Sequence, residues 1–360
     1  MIKEVVTRTA SSWTRQEGLY HHIVISSRIR LARNLAKLSM PAFQNETSAF
    51  SVLEKVRNAA ENLNRQRKEK LYFYPMQEIP ALERQILLEK HLISPEHRED
   101  GVNKGLLISG DEAVSIMINE EDHLRIQVFA PGLQLEKAWE QADKLDDDLE
   151  SQLEYAFDKQ IGYLTCCPTN VGTGLRASVM LHVPALVLTQ QAGKVLSSLG
   201  QLGFAVRGLY GEGTEAVGSL YQVSNQVTLG KSETEIIQNL TELTTQLVEK
   251  EEETRQWLRK ECFAQLKDRV GRAYGILQNA AILTSQEALQ LLSDVKMGVD
   301  LGLLTEEQGP VFKDFNFSEL IVLAQPAFIQ RFRGKQLDAA ERDEARASLF
   351  LEKFCRGGRK

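Results

Sequence analysis

The sequence predicts an α+β domain, with an antiparallel sheet flanked by helices, followed by an all-α domain. Three observations carry this. The β-rich runs Gly105–Ser109, Val114–Asn119 and Leu124–Ala130 follow one another, separated only by Gly110-Asp111-Glu112 and Glu120-Glu121-Asp122-His123. Such connections are too short for crossover helices, so the runs form an antiparallel meander. Stretches with apolar residues at helical spacing lie on either side of them. After Gly230 the strand signals nearly vanish and long charged helical segments take over.

The elements follow in order. Residues up to Leu19 are polar and are expected to pack loosely. His22–Ser26 reads as a strand. Thr47–Lys68 places Phe50, Leu53, Val56, Ala60 and Leu63 on one helical face behind a Thr or Ser cap. Ala81–Leu92 reads as a helix, and Leu133–Leu153 as a long amphipathic one with an acidic face. Gly162–Thr165, Ala177–Val183, Phe204–Arg207 and Leu220–Ser224 read as strands, with a helix over Ala185–Leu199 and a glycine-rich loop over Gly208–Gly218. The helices beyond Ser232 break near Asn316 and Gly334. We expect an N-terminal segment over residues 1–22, a catalytic-type domain over 23–254 and a helical domain over 255–360, divided inside or just after a long connecting helix.

Composition narrows the class. The chain has 360 residues, 42% hydrophobic and 26% charged, with net charge -6. That suits a globular fold and argues against blanket nucleic-acid binding. Cys166, Cys167, Cys262 and Cys355 form no CxxC pair and no Cys/His cluster, so no structural metal is expected. The adjacent pair suits a reducing compartment. With no signal-like start and no stretch near the roughly 20 apolar residues of a membrane helix, a cytoplasmic protein is expected.

Arginines are the first candidate chemistry. In an extended chain Arg28 and Arg30 share a face. Arg125, Arg176 and Arg207 stand at strand ends or in loops. Converging guanidinium forks would bind a polyphosphate; the plain alternative is solvated surface arginines. Asn119–Arg125 offers a carboxylate that deprotonates a nucleophile, or merely a turn. Arg207–Gly213, carrying Glu212, is a closing loop or a plain connection. Cys167, before Pro168, is reactive or inert. Neither a GxxxxGK[ST] loop nor an HRD and DFG set occurs, so any ATP chemistry uses another scaffold.

Four ordered stretches draw these together: SSRIRLARNL at Ser26–Leu35, NEEDHLR at Asn119–Arg125, TCCPTNVGTGLRASV at Thr165–Val179 and RGLYGEGTEAVGSLYQVSN at Arg207–Asn225. From about Ile23 to Thr254 the chain resembles the phosphagen (guanidino) kinases. The resemblance implies a glutamine synthetase-like guanido kinase fold, with ATP and with Mg²⁺ held mainly by the nucleotide phosphates. It implies nucleotide contacts at Ser26, Ser27, Arg28, Ile29 and Arg30, at His91 and Arg125, and at Arg176, Ala177, Ser178, Val179 and Met180. Further contacts are implied at Arg207, Gly208, Leu209, Tyr210 and Gly211. Glu121 and Glu212 match the acceptor-binding carboxylates, and Cys167 the reactive cysteine at the guanidinium. The chemistry is coherent, because a guanidinium with pKa above about 12 is a poor nucleophile until carboxylates orient it and take a proton.

Two departures sharpen the resemblance. Small-molecule guanidino kinases carry a helical domain before this first motif, whereas here it begins at Ser26, which would leave the site open to a bulky acceptor. They also lack the helical region after Thr254. This arrangement resembles the bacterial protein-arginine kinase family. There, Arg342-Asp343-Glu344-Ala345-Arg346-Ala347 matches an allosteric phosphoarginine motif, implying binding by Arg342, Asp343, Arg346 and Ala347. On a helix Arg342 and Arg346 are like charges four apart, costing roughly 0.2–0.5 kcal/mol unless an anion joins them. The resemblance further implies a homodimer. Its partners would be protein substrates with exposed arginines, a stress-gene repressor among them, a zinc-binding activator protein and the Clp unfoldase and protease, with no membrane and no direct nucleic-acid partner. Two alternatives stay open: a kinase for a free guanidino metabolite, and a non-catalytic phosphoarginine-binding adaptor.

Overall fold

The computed structural model describes residues 2–209 and 216–355. Eight strands form one antiparallel sheet: β1 (Val24–Arg33), β2 (Leu71–Pro75), β3 (Gly105–Ser109), β4 (Val114–Ile118), β5 (Leu124–Pro131), β6 (Leu175–His182), β7 (Phe204–Gly208) and β8 (Leu220–Asn225), in the order β2-β3-β4-β5-β1-β6-β8-β7. The expected meander is β3-β4-β5. The strand expected at His22–Ser26 is only the start of β1, which runs ten residues.

Strand alternation gives the sheet its two characters. On β1, Ile29 and Leu31 are buried in an apolar layer under helices α1 (Glu46–Leu63), α3 (Leu135–Glu150) and α4 (Glu233–Glu261). Arg28 and Arg30 therefore point to the other face. Register aligns them with their neighbours: Arg28 lies opposite Phe129 and Ser178, and Arg30 opposite Gln127 and Arg176. Helix α1 starts at an Asn45 cap rather than at Thr47 or Ser48, with the Asn45 side chain accepting from Ser48 N at 2.8 Å.

A second core joins the C-terminal helices to the N-terminal segment and to α2 (Ala81–Glu89). The helices are α5 (Phe263–Asn279), α6 (Ser285–Asp300), α7 (Phe317–Leu323), α8 (Pro326–Arg333) and α9 (Ala339–Cys355). Helix α4 runs 29 residues, straight through Thr254, and ends against Cys262. Asn316 caps α7 by accepting from Glu319 N, and left-handed Gly334 closes α8, which explains both breaks read in the sequence.

Three expectations need correction. The N-terminal segment is not loose: Val5, Val6 and Trp13 are buried, and Lys90 Nζ donates to Val5 O and Arg8 O at 2.7 and 3.1 Å. A few anchors hold it while its letters read as polar. The helix over Ala185–Leu199 is two, Pro184–Leu188 and Ala192–Gln201, separated at Gln190, whose φ of 57° no helix accommodates. Helix α2 stops at Glu89 because His91 adopts φ 61°. Among the described residues no helix is long and apolar enough to cross a membrane.

Candidate active site

The polar face of the sheet opens into a cleft of about 800 Å³. Five arginines from four strands meet there: Arg28, Arg30, Arg125, Arg176 and Arg207. Arg28 Nη2 donates to Gln222 Oε1 at 2.8 Å, and Arg176 Nη2 to Ser224 Oγ at 3.2 Å. Both partners are neutral groups on β8, which aim the guanidinium groups without cancelling their charge. Arg30 Nε is buried and makes no hydrogen bond among the described residues. Burial, then the fields of Arg125 and Arg176, push Arg28 down to about 9. Burial, followed by Arg28, Arg125 and Arg176, pushes Arg30 well below its ordinary value. Positive charge concentrated in this way is stabilised by a polyanion.

Acidic groups enter from the turn after β4. Arg125 Nη1 donates to Glu120 Oε1 at 2.7 Å, and Ser94 Oγ to the same oxygen at 2.6 Å. Burial works against the Glu120 carboxylate, but Arg125 and Ser94 outweigh it and hold its pKa below the usual range. Glu121, next in the chain, is exposed. Partial burial, then Asp122 and Glu120, raise its pKa. The two neighbouring carboxylates are thus shifted in opposite directions by their surroundings.

Glu121 also lines a second cavity of about 690 Å³ together with Cys167, Pro168, Gln44 and Val102. The two cavities share Lys104, Glu120 and Glu121, so they are continuous. Asp122 lies behind Cys166, which lines the second cavity. It is 2% exposed, and its Oδ1 accepts from Asn34 Nδ2 at 2.6 Å and from Cys166 N at 2.7 Å. The carboxylate loop, the cysteine loop and the end of β1 are therefore tied at one atom. Burial and then Asp122 push the Cys166 thiol up to about 12, which keeps it protonated. Cys167 Sγ lies 3.0 Å from Thr169 Oγ1.

A narrow slot off the main cleft is lined by Ser26, His91, Phe129, Ser178, Val179 and Met180, and by Trp13 from the N-terminal segment. The Trp13 and His91 rings lie 5.5 Å apart. Burial, then Arg28, hold His91 at about 4, so it is a neutral imidazole near pH 7. Gly208 and Leu209 close another side of the cleft.

Not every residue read from the sequence reaches the cleft with its side chain. Ile29 and Ala177 are fully buried in the apolar layer on the opposite face, as alternation requires. Ser27 is turned to Gly132 O at 2.8 Å and to Gln134 N at 3.0 Å. Tyr210, Gly211 and Glu212 lie outside the described residues. Sequence reading missed Trp13, Glu120, Asp122, Gln222 and Ser224. Of these, Glu120 and Asp122 stand inside Asn119–Arg125 and Gln222 and Ser224 inside Arg207–Asn225, both already singled out, whereas Trp13 carries no local signal.

The Arg342–Ala347 motif begins α9, far along the chain and on the helical side. Arg346 is 1% exposed and donates to Ala324 O and Leu283 O, each at 2.7 Å, and to Asp343 Oδ1 at 2.6 Å. Arg342 Nη1 donates to Leu337 O at 3.0 Å, and Ala347 is buried. Arg346 and Asp343 are thus engaged with each other and with the backbone. Among the described residues no group of three or more His, Cys, Asp or Glu is placed to hold a metal ion.

Fold and cleft together define an ATP:guanido phosphotransferase. The model of the ATP:guanido phosphotransferase C-terminal catalytic domain matches residues 51–254, and that of the protein-arginine kinase McsB C-terminal domain matches residues 263–358. A crystal structure of lombricine kinase shares the fold, with TM-score 0.57 and 24% identity, covering 68% of this chain and 71% of that one. The protein-arginine kinase of Halothermothrix orenii is 49% identical over 349 residues, 97% of this chain and 98% of its own. That of Moorella thermoacetica is 52% identical over 343 residues, 95% and 97% of the two chains. The chain belongs to the protein-arginine kinase family.

Proposed function

We propose that the chain transfers the γ-phosphoryl group of ATP to arginine side chains of proteins. The observation that carries this is the continuity of two cavities, one built from five arginines and the other holding Glu121 and Cys167. ATP phosphates fit the first, where the buried Arg30 Nε supplies an unused donor. The acceptor guanidinium enters the second. Glu121, with Glu212 as its partner, orients the guanidinium and takes a proton as nitrogen attacks the γ-phosphorus. The N–P bond forms, the bond to the bridging oxygen breaks, and ADP leaves with its charge held by the arginines. Cys167 sits beside the guanidinium. Mg²⁺, held by the nucleotide itself, would neutralise phosphate charge, with Glu120 as the acidic group bonded to Arg125 of the arginine cluster.

Family membership and the matched C-terminal domain favour a protein-borne arginine over a free metabolite. The same membership supports the wider role: marking proteins, including a stress-gene repressor, for the Clp unfoldase and protease. It also supports activation by a zinc-binding partner, action as a cytoplasmic homodimer, and phosphoarginine regulation through Arg342, Asp343, Arg346 and Ala347. The domain division at residue 254 belongs to the same proposal. The test is phosphate transfer from labelled ATP to an unfolded arginine-containing protein. The product label should be lost in mild acid, as an N–P bond is, and Glu121→Gln should slow its formation at least about a hundredfold. Equal turnover of free arginine would refute the protein acceptor, and failure to consume ATP would refute catalysis.

A further inference from the structure

Glu89 is a buried carboxylate that the transfer chemistry does not use. It is 8% exposed and ends helix α2. Its Oε1 accepts from Ala327 N at 3.0 Å and its Oε2 from Phe328 N at 3.3 Å, across 238 and 239 residues of chain. These are two of the orphan donors that open α8. On its own helix, Gln85 Nε2 donates to Oε1 at 3.3 Å. Arg346 on α9 adds an attractive field without bonding to Glu89; the Arg346 guanidinium donates to Ala324 O at the end of α7, to Leu283 O and to Asp343 Oδ1. Burial raises Glu89 to about 7, against the pull of Ala327, Gln85, Phe328 and Arg346, so its ionised form depends on those groups.

The residues flanking Glu89 are walls of the arginine-lined cleft: Leu88 before it, His91 and Ile93 just after. His91 follows two residues on with φ 61°, so the turn that ends α2 also places the His91 ring in the cleft wall. We infer that Glu89 is a positioning residue through which helices α7–α9 set the geometry of the nucleotide cleft. It touches no reacting atom. It fixes the end of α2 to the start of α8, and the chain Arg346–Ala324–α8–Glu89–His91 joins the two halves of the molecule. The inference rests on reading the cleft as the ATP site.

The experiment uses the full chain. Glu89→Gln keeps the side-chain shape but turns one acceptor into a donor aimed at a backbone N–H. We expect KM for ATP to rise roughly fivefold or more with kcat within about twofold, since one misplaced hydrogen-bonding pair carries that order of effect. Glu89→Asp should recover part of the loss. As a structural control, Asp294→Ala removes the buried carboxylate on α6 that accepts from Arg269 and should lower Tm while leaving KM for ATP unchanged. A wild-type KM in folded Glu89→Gln, or an equal KM rise in the control, overturns the inference. Hydrogen exchange on the wild-type protein decides the matter even if the variant does not fold. A saturating non-hydrolysable ATP analogue with Mg²⁺ should raise protection at residues 326–333. Analogue binding with no change there overturns the coupling, whereas no binding at all overturns the reading of the cleft.

Discussion

Asp122 offers the most discriminating perturbation. Its Oδ1 accepts from two donors, Asn34 Nδ2 and Cys166 N, in a site that is 2% exposed. Asp122→Ala strands two buried donors, Asn34 Nδ2 and Cys166 N. A buried unsatisfied group costs about 1–3 kcal/mol, so the loss should be about 2–5 kcal/mol, allowing for partial relaxation. Asp122→Asn retains a carbonyl oxygen in the same place, and only the charge assistance is lost, about 1 kcal/mol for the pair of bonds. Urea unfolding followed by circular dichroism measures both. Activity should divide in the same way. The arginines stand on strands and keep their places, so KM for ATP should stay within about twofold while the alanine variant loses kcat/KM for the protein acceptor by about a hundredfold. If asparagine costs as much as alanine, charge rather than tethering holds the loops. If KM for ATP rises instead of the acceptor effect, Asp122 does not organise the acceptor side.

Two further outcomes follow from the electrostatics. Glu121 must be ionised to accept a proton, and its pKa is raised by burial, Asp122 and Glu120. The rate of acceptor phosphorylation should therefore climb with pH through a value above the ordinary carboxylate range, and Glu121→Gln should erase that limb; a profile unchanged in the variant assigns the proton elsewhere. Arg30 is half-buried and flanked by like charges, and its buried Nε has no hydrogen bond among the described residues, so Arg30→Met should stabilise the nucleotide-free protein, by about 1 kcal/mol, while weakening ATP binding at least tenfold. Thermal unfolding and calorimetric titration read the two halves, and a destabilised variant would show that Arg30 has a partner after all.

Much of this site was legible because period and position carry information. The alternation that buries Ile29 and Leu31 places Arg28 and Arg30 together, and it can be read directly from six consecutive letters. The short turns around β4 forced the meander, and Asn316 and Gly334 marked helix ends through cap chemistry. What stayed hidden depends on long-range contacts. Trp13 reaches its place because Lys90 holds the N-terminal segment some 80 residues away in sequence, as the Trp13 Nε1 to Lys90 O bond of 3.2 Å shows. Asp122 looked like turn chemistry because its partners, Asn34 and Cys166, lie in two other motifs. Arg346 looked solvated because charge on a helix usually is, yet tertiary packing gave it carbonyl partners on two other segments. Gln190 broke a helix that its propensities favour, and no local pattern announces a positive φ there.

Helix α4 crosses residue 254 without interruption. Within it, buried Glu251 receives Arg255 at 2.7 Å and the backbone N–H groups of Ala185 and Leu186, while Arg255 reaches Asp300 on α6 at 3.0 Å. A cut at the seam between the two matched family models would sever a continuous rod and divide that cluster. The pieces are therefore units of inheritance without being units of mechanics. A push on the helical end is transmitted along a common axle, and a truncated catalytic half would lose the bearing on which it turns.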